Sequence, residues 1–565
     1  MINKESHGLL SGGQAVVEIF KSKSTKNVFG LIGSSTMELF DALFNNREIN
    51  FIDVRDERTG THMADGYSRA SGQAGIIIAG QNGPGATNLV TGVAQANAAF
   101  SSVISIAGAV TSEHKGKDTF QEVDQQRLFE PITKKTYSVN QTDEIPKLMN
   151  EAYSVALQPR CGPVHINIPR DVFANKIKFD NFENKQNINL PNASKVDIEK
   201  VINLIISSSK AVIIAGGGVK NTNGHQEIIK LAKILNIPIV SSAGHGDIIP
   251  SDVEIYAGQM GPRGNVVATK LVKEADIILA IGTRLGFNST FFSYDNINKN
   301  ASIIQIDIEK SAIGRYFPVK IGICADAKNF TKQLLDKISS MKKITNFNNW
   351  TEKLISERKK YLKERDEKAE INTNPIRPTA LFKILRDVLP KNSSITLDAG
   401  TLCLQSTDAL NYFEPRCLFT PLDFGLVGFS FACGLGVKIA KPNKPVISLM
   451  GDGGFGMTLS ELSTAVQHKI NTVTIVMNNQ SWGAEKAYQR DFFNGKFIGS
   501  DIKSPPFDKI AELYGAKGFR VDQVSEIKHA VKAALNCNKP AVIDLNVDPS
   551  ALYSFRRDSF THRIK

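Results

Sequence analysis

Two short apolar runs near the carboxyl end constrain this chain more than any other feature. Val446–Met450 (VISLM) and Val473–Met477 (VTIVM) have the length of buried strands, and Leu459–Gln467 between them has a helical pattern. A strand–helix–strand unit of this size sets its two strands parallel. The first run leads into Gly451–Phe455 (GDGGF) and the second into Asn478–Asn479 (NN). Both polar segments therefore fall at the carboxyl ends of parallel strands, where open α/β sheets bind ligands. Gly451, Gly453 and Gly454 let the backbone come close to phosphate oxygens. Asp452 offers a carboxylate oxygen and Asn479 an amide oxygen. This sparse set of hard ligands suits Mg²⁺, which fills its shell with water and substrate phosphates.

The same alternation of strand and helix runs through all 565 residues. It predicts an α/β protein of three doubly wound parallel-sheet domains, at residues 11–180, 195–341 and 374–548. The first block contains the strands Ile76–Ala79, Val103–Ala107 and Val164–Ile168; the second contains Ala211–Ala215, Ile237–Val240, Ile277–Ile281 and Ile303–Ile306. A polar linker, Asn181–Ser194, separates these two. A second linker, Trp350–Lys368, is dense in mixed charge. It has Trp350, Leu354, Tyr361 and Leu362 at helical spacing, which predicts an exposed amphipathic helix.

Other function classes are disfavoured by composition. The six cysteines are scattered with no CxxC pair, which argues against a zinc site or a disulfide framework and points to a reducing cytoplasm. The amino terminus lacks a signal-peptide apolar core, and no run approaches the roughly 20 apolar residues that span a bilayer. The net charge of +12 is spread along the chain without a stripe, so neither nucleic acid nor a membrane is the expected partner. The charge has two readings, a positive field that draws in a small anionic substrate and a Lys- and Asn-rich bias spread over the surface, and its even distribution favours the second.

GDG, a helix, and a strand ending in NN together resemble the diphosphate-binding motif of thiamin diphosphate (ThDP) enzymes. The resemblance covers nearly the whole chain, in the order of the acetolactate synthase type: pyrimidine-binding, central, then diphosphate-binding domain. It implies ThDP and Mg²⁺ as cofactors. It places Gly400 and Thr401 near the diphosphate, with Gly451, Asp452, Gly453, Gly454 and Asn479. The Gly425 carbonyl falls at the aminopyrimidine, Val427 under the bend of the cofactor, and the Ser481 carbonyl among the metal ligands. In Arg55–Gly72 (RDERTGTHMADGYSRASG), Glu57 takes the position of the glutamate that contacts the pyrimidine ring. A carboxyl group there favours the imino tautomer that removes the thiazolium proton. Asp56 stands where relatives often have histidine, and His62 reads as a packing or capping residue. Gly83 and Gly85, in Gly80–Asn88 (GQNGPGATN), imply a loop at the edge of a neighbouring subunit's cofactor. The family shares its sites between subunits, so a homodimer or homotetramer with intersubunit active sites is implied.

The finer resemblance is to sulfoacetaldehyde acetyltransferases. It lies in Asn478–Gly499 (NNQSWGAEKAYQRDFFNGKFIG), Gly282–Gly286 (GTRLG), Ile303–Lys328 and Phe555–Ser559 (FRRDS). It implies phosphate-dependent conversion of a sulfonate aldehyde to acetyl phosphate and sulfite, without functional flavin at the glycine turn Ala215–Val219. Lys486, Arg490, Arg556 and Arg557 are the candidate ligands for sulfonate and phosphate. The alternatives are an acetolactate-synthase-like carboligase acting on pyruvate and a non-catalytic ThDP-fold binding or regulatory subunit.

Overall fold

Short β-branched runs become central strands when both faces are covered, and the described residues contain three six-stranded sheets of this kind beside one two-stranded sheet. The computed structural model describes residues 8–179, 190–341, 347–369, 373–555 and 557–563. Most of the expected polar linker, residues 181–189, lies outside the described residues. The first sheet comprises β1 (Asn27–Gly30), β2 (Asn50–Asp53), β3 (Gly75–Ala79), β4 (Val103–Ala109), β5 (Lys135–Ser138) and β6 (Val164–Pro169). All pairings are parallel, in the order β2–β1–β3–β4–β6–β5. Helix α1 (Glu57–Ser71) connects β2 to β3, and α2 (Pro84–Ala98) connects β3 to β4.

The second sheet contains β7 (Ala211–Ala215), β8 (Ile239–Ser241), β9 (Tyr256–Gln259), β10 (Ile277–Ile281), β11 (Ser302–Asp307) and β12 (Ile321–Cys324). Its parallel order, β9–β8–β7–β10–β11–β12, is that of a dinucleotide-binding fold. The charged linker forms α3 (Asn348–Ala369). Trp350 and Leu354 are buried there, and the Trp350 indole N–H donates to the Ala211 carbonyl at 2.9 Å.

The third sheet contains β13 (Ser394–Leu397), then α4 (Thr401–Ala409), β14 (Leu418–Phe419), α5 (Ser430–Ala440) and β15 (Val446–Gly451). It continues through α6 (Asp452–Gly456), α7 (Leu462–Gln467), β16 (Val473–Asn478), α8 (Gly483–Phe492), β17 (Lys517–Val521) and β18 (Ala541–Asn546). The order β14–β13–β15–β16–β18–β17 repeats that of the first sheet. Asp452–Gly456 forms one helical turn with Gly451 as its N-cap, and the helix expected over Leu459–Gln467 opens with the 3₁₀ turn Leu459–Glu461.

The chain divides into two compact units: residues 1–188 with 431–443 and 458–472, and residues 189–430 with 444–457 and 473–565. Within the first unit, α1 and α5 meet at their backbones. A Cβ on Gly66 would lie 2.3 Å from the Cys433 carbonyl oxygen, and one on Gly436 would lie 1.9 Å from that of Met63.

Candidate active site

A parallel sheet opens a crevice where successive connections leave in opposite directions. In the third sheet this happens between β13 and β15. Four of the expected segments meet there around a cavity of about 550 Å³ within the second unit, a size that suits a cofactor. Gly400, Thr401, Gly425, Val427, Gly451, Gly453, Gly454, Asn479 and Ser481 all line it. The glycines have different reasons to be glycine. Gly400 and Gly425 have φ of +111° and +77°, and a Cβ on either, or on Gly451, would meet no atom within 4 Å. These three border open space, as a phosphate cradle requires. Gly453 and Gly454 are needed for packing instead: a Cβ would lie 2.6 Å from the Trp482 ring and 2.2 Å from Asp398 Oδ2, respectively.

Asp398, two residues before Gly400, organises this crevice. Its Oδ2 accepts from Gly428 N at 3.0 Å and its Oδ1 from Phe429 N at 2.9 Å. The carboxylate so ties β13 to the loop that carries Gly425 and Val427, with Gly454 packed against it. Burial pushes its pKa up to about 6, against the pull of these amides.

Asp452 is 1% exposed. Its Oδ2 accepts from the Ser504 hydroxyl at 2.6 Å, while its Oδ1 is buried without a hydrogen-bond partner. Burial raises its pKa, with the Ser504 bond opposing. An orphaned buried carboxylate oxygen is costly in a protein interior unless a cation joins it. The residues present therefore fit a hard divalent ion. The two asparagines divide their tasks. Asn478 donates to Asp544 Oδ1 at 3.0 Å and accepts from Gln480 Nε2 at 2.8 Å, which fixes the strand end. Asn479 faces the cavity. Gln480 then adopts φ +55°, and Ser481 returns to the cavity wall.

The first unit holds a second centre, at the start of α1. Glu57 is 3% exposed. Its Oε2 accepts from Asn88 Nδ2 at 3.1 Å, and a Cβ on Gly85 would lie 2.9 Å from its Oε1. Burial raises its pKa, countered by the Asn88 bond. Asp56, in the place of the expected histidine, caps the helix by accepting from Arg58 N at 2.7 Å. Gly83 has φ +52°, and a Cβ there would lie 2.3 Å from the Gln121 carbonyl oxygen, so this glycine admits the 118–122 loop. His62 is buried within α1, and burial lowers its pKa to about 3, so it is a neutral packing residue. Buried Glu461 accepts from the Arg55 backbone N–H at 2.9 Å and from the Thr59 hydroxyl at 2.5 Å. It thus brackets Glu57 from both sides, a role that its position in sequence did not suggest.

Of the expected anion ligands, Lys486 and Arg490 are described with their side chains, and both stand apart from the cavity. Lys486 pairs with Asp501, and Arg490 with Asp491 at 2.6 Å; neither lines the cavity. Arg556 lies outside the described residues, and Arg557 begins the terminal turn Arg557–Arg563. Two other arginines line the wall, Arg263 and Arg284. Arg263 was legible in principle, because Gly261-Pro262-Arg263-Gly264 closely follows the carboxyl end of a strand.

The chain matches three domain families of thiamine pyrophosphate enzymes: the N-terminal TPP binding domain over residues 10–128, the central domain over 198–334 and the C-terminal TPP binding domain over 398–545. It is 33% identical to a probable acetolactate synthase large subunit from Methanocaldococcus jannaschii, across 96% of this chain and 92% of that protein. It is 31% identical to a sulfoacetaldehyde acetyltransferase from Castellaniella defragrans, across 98% of this chain and 96% of that protein. It is 28% identical to the acetolactate synthase isozyme 3 large subunit of Escherichia coli, across 96% of each.

Proposed function

Because the chain belongs to the acetolactate-synthase-like thiamin diphosphate enzymes, we propose that it is a Mg²⁺-dependent acyltransferase converting sulfoacetaldehyde and phosphate into acetyl phosphate and sulfite. The observation that carries this reading is the composition of one cavity. Its floor is a glycine-built cradle beside Asp452, and its wall carries two guanidinium groups. Arginine suits tetrahedral oxyanions, since its fork makes paired charge-assisted bonds. Both substrates carry such a group.

ThDP, when bound, supplies the carbanion chemistry and the electron sink. The chain supplies the rest. Asp452, Asn479 and the Ser481 carbonyl hold the metal. Gly400, Thr401, Gly451, Gly453 and Gly454 border the diphosphate, and the Gly425 carbonyl and Val427 set the aminopyrimidine. Glu57, whose carboxyl is inclined to keep its proton, is the acid–base group at the pyrimidine. The overall reaction needs no oxidant, because sulfite leaves with the C–S bonding pair. No flavin role is proposed for the central glycine turn, whose glycines have a packing reason of their own. A Cβ on Gly216 would lie 2.3 Å from the Gly282 carbonyl oxygen, and one on Gly218 2.7 Å from Gly282 Cα, so close packing uses both glycines. The working species is a homodimer or larger homo-oligomer, in which Glu57 of one copy serves the cofactor cradled by the other.

A second reading, an acetolactate-forming carboligase acting on pyruvate, draws support from the 33% identical relative. One assay separates the two. With ThDP and Mg²⁺, purified protein should release sulfite from sulfoacetaldehyde only when phosphate is present, with equimolar acetyl phosphate. Acetolactate from pyruvate, with no sulfite released, would support the carboligase and refute the acyltransferase.

A further inference from the structure

We propose that Glu461 works as a neutral, proton-holding acid that positions Glu57; the inference rests on the reading of Glu57 as the acid–base group at the pyrimidine. The reason is a shortage of hydrogens. Glu461 is fully buried at the end of the 3₁₀ turn Leu459–Glu461. Its Oε1 faces the Thr59 hydroxyl at 2.5 Å, and its Oε2 faces the Thr464 hydroxyl at 2.7 Å. Each hydroxyl also faces a backbone carbonyl: Thr59 that of Asp56 at 2.8 Å, and Thr464 that of Asp53 at 3.1 Å. A threonine hydroxyl has one hydrogen to donate. With an ionised Glu461, two of these four contacts therefore set oxygen against oxygen with no hydrogen between. A proton on Glu461 supplies one of the missing hydrogens. Placed on Oε1, it is donated to Thr59, whose own hydrogen then goes to the Asp56 carbonyl. Oε1 still accepts from the Arg55 backbone N–H at 2.9 Å, and Oε2 still accepts from Thr464. The result is a chain of hydrogen bonds from Glu461 through Thr59 to the peptide bond that enters Glu57.

The cations around this turn are directed at another acid. The Arg55 guanidinium donates to Asp53 Oδ2, to the Ser463 hydroxyl and to Gln467 Oε1, each at 2.7 Å. His468 Nε2 lies 2.5 Å from Asp53 Oδ1. Asp53 is thus the anion of the cluster: burial opposes its ionisation, but the bonds from Arg55 and His468 outweigh that and hold its pKa below the usual carboxylate range. Glu461 has the opposite balance. Burial raises its pKa, against the Thr59 and Thr464 bonds, the Arg55 backbone bond and the Arg55 charge. A neutral Glu461 also adds no second negative charge to a turn in which Asp56 already stands next to Glu57. A carboxylic acid kept neutral by burial can hold a neighbour by donating to it, which a carboxylate cannot do.

The test has two readouts on the full-length protein. The first is the infrared band of protonated carboxyl groups, recorded near neutral pH without cofactor. The second is hydrogen–deuterium exchange at the thiazolium carbon of bound ThDP, followed by NMR with Mg²⁺ and no substrate, so the choice between acyltransferase and carboligase does not enter. Glu461→Gln exchanges a neutral acid for a neutral amide. It should remove one protonated carboxyl from the wild-type spectrum and slow exchange far less than Glu461→Ala does. Glu461→Ala should slow exchange by up to about 100-fold, the scale of a displaced catalytic group. An infrared band unchanged in Glu461→Gln overturns the proposal, and this arm stands even where Glu461→Ala does not fold. Exchange as slow in Glu461→Gln as in Glu461→Ala, or wild-type exchange in Glu461→Ala, also overturns it. Glu57→Gln is the control. Slow exchange there beside wild-type exchange in Glu461→Ala removes this proposal alone; wild-type exchange in Glu57→Gln removes the reading of Glu57 and this proposal with it.

Discussion

The two carboxylate oxygens of Asp452 have different surroundings: one accepts from Ser504, and the other is buried with no hydrogen bond. That asymmetry suits the metal-ligand role proposed for Asp452. Asp452→Ala should remove Mg²⁺-dependent ThDP retention, lowering affinity by more than the about 10–100-fold that loss of an outer-shell partner of a metal costs. Calorimetric titration with ThDP at fixed Mg²⁺ checks this; wild-type affinity would refute the assignment. Asp398 makes a pH prediction. Its folded pKa is raised, so the unfolded chain loses this proton first as pH rises. Its contribution to stability is full below about pH 4 and is lost as pH climbs through about 6, a change of about 3 kcal/mol. In melting curves of cofactor-free protein, the wild type should lose more Tm between pH 4 and 6 than Asp398→Asn does; parallel curves would contradict this. Glycines and acids at strand ends could be read from the sequence because their chemistry is local. The distinction between Gly451, open to the cavity, and Gly454, packed on Asp398, could not, because it depends on a carboxylate 56 positions away in the chain.

At the scale of elements, the strands were readable and some connections were not. Runs such as Ala211–Ala215 and Ile277–Ile281 are apolar on both faces and have no competing structure, so predicted and observed limits coincide. The turn at Asp452–Gly456 was hidden by its glycines, which favour no regular structure by themselves. Most of helix α5 and the 458–472 segment lie within the third block in sequence yet group with the first sheet. Backbone contact between α1 and α5 explains part of that. Gly436→Ala should cost about 1–3 kcal/mol, the usual penalty for overpacking, visible as a lower urea midpoint; an unchanged midpoint would show that the helices can separate freely. Glu57 begins α1, and Glu461 holds the turn in front of it. Glu57→Gln should keep ThDP affinity while losing turnover by about 100-fold or more, the usual range for an acid–base group. Full turnover in that variant would show that another group does this work.

For the whole molecule, the first and third sheets share one strand order. Strand β2 of the first is followed by buried Glu57 with a raised pKa, and the third carries Asp452 beside the glycines that line the cavity. In the proposed function these two centres grip opposite ends of one ThDP, each site drawing on two copies of the chain. Mixing two inactive variants tests this most directly. Glu57→Gln and Asp452→Ala chains, dissociated and reassembled together, form mixed dimers with one intact site of two, and statistical pairing predicts about a quarter of wild-type sulfite release. Recovery near that level is the expected result. A mixture as inactive as its two parents, with mixed dimers demonstrated by mass, would contradict the account.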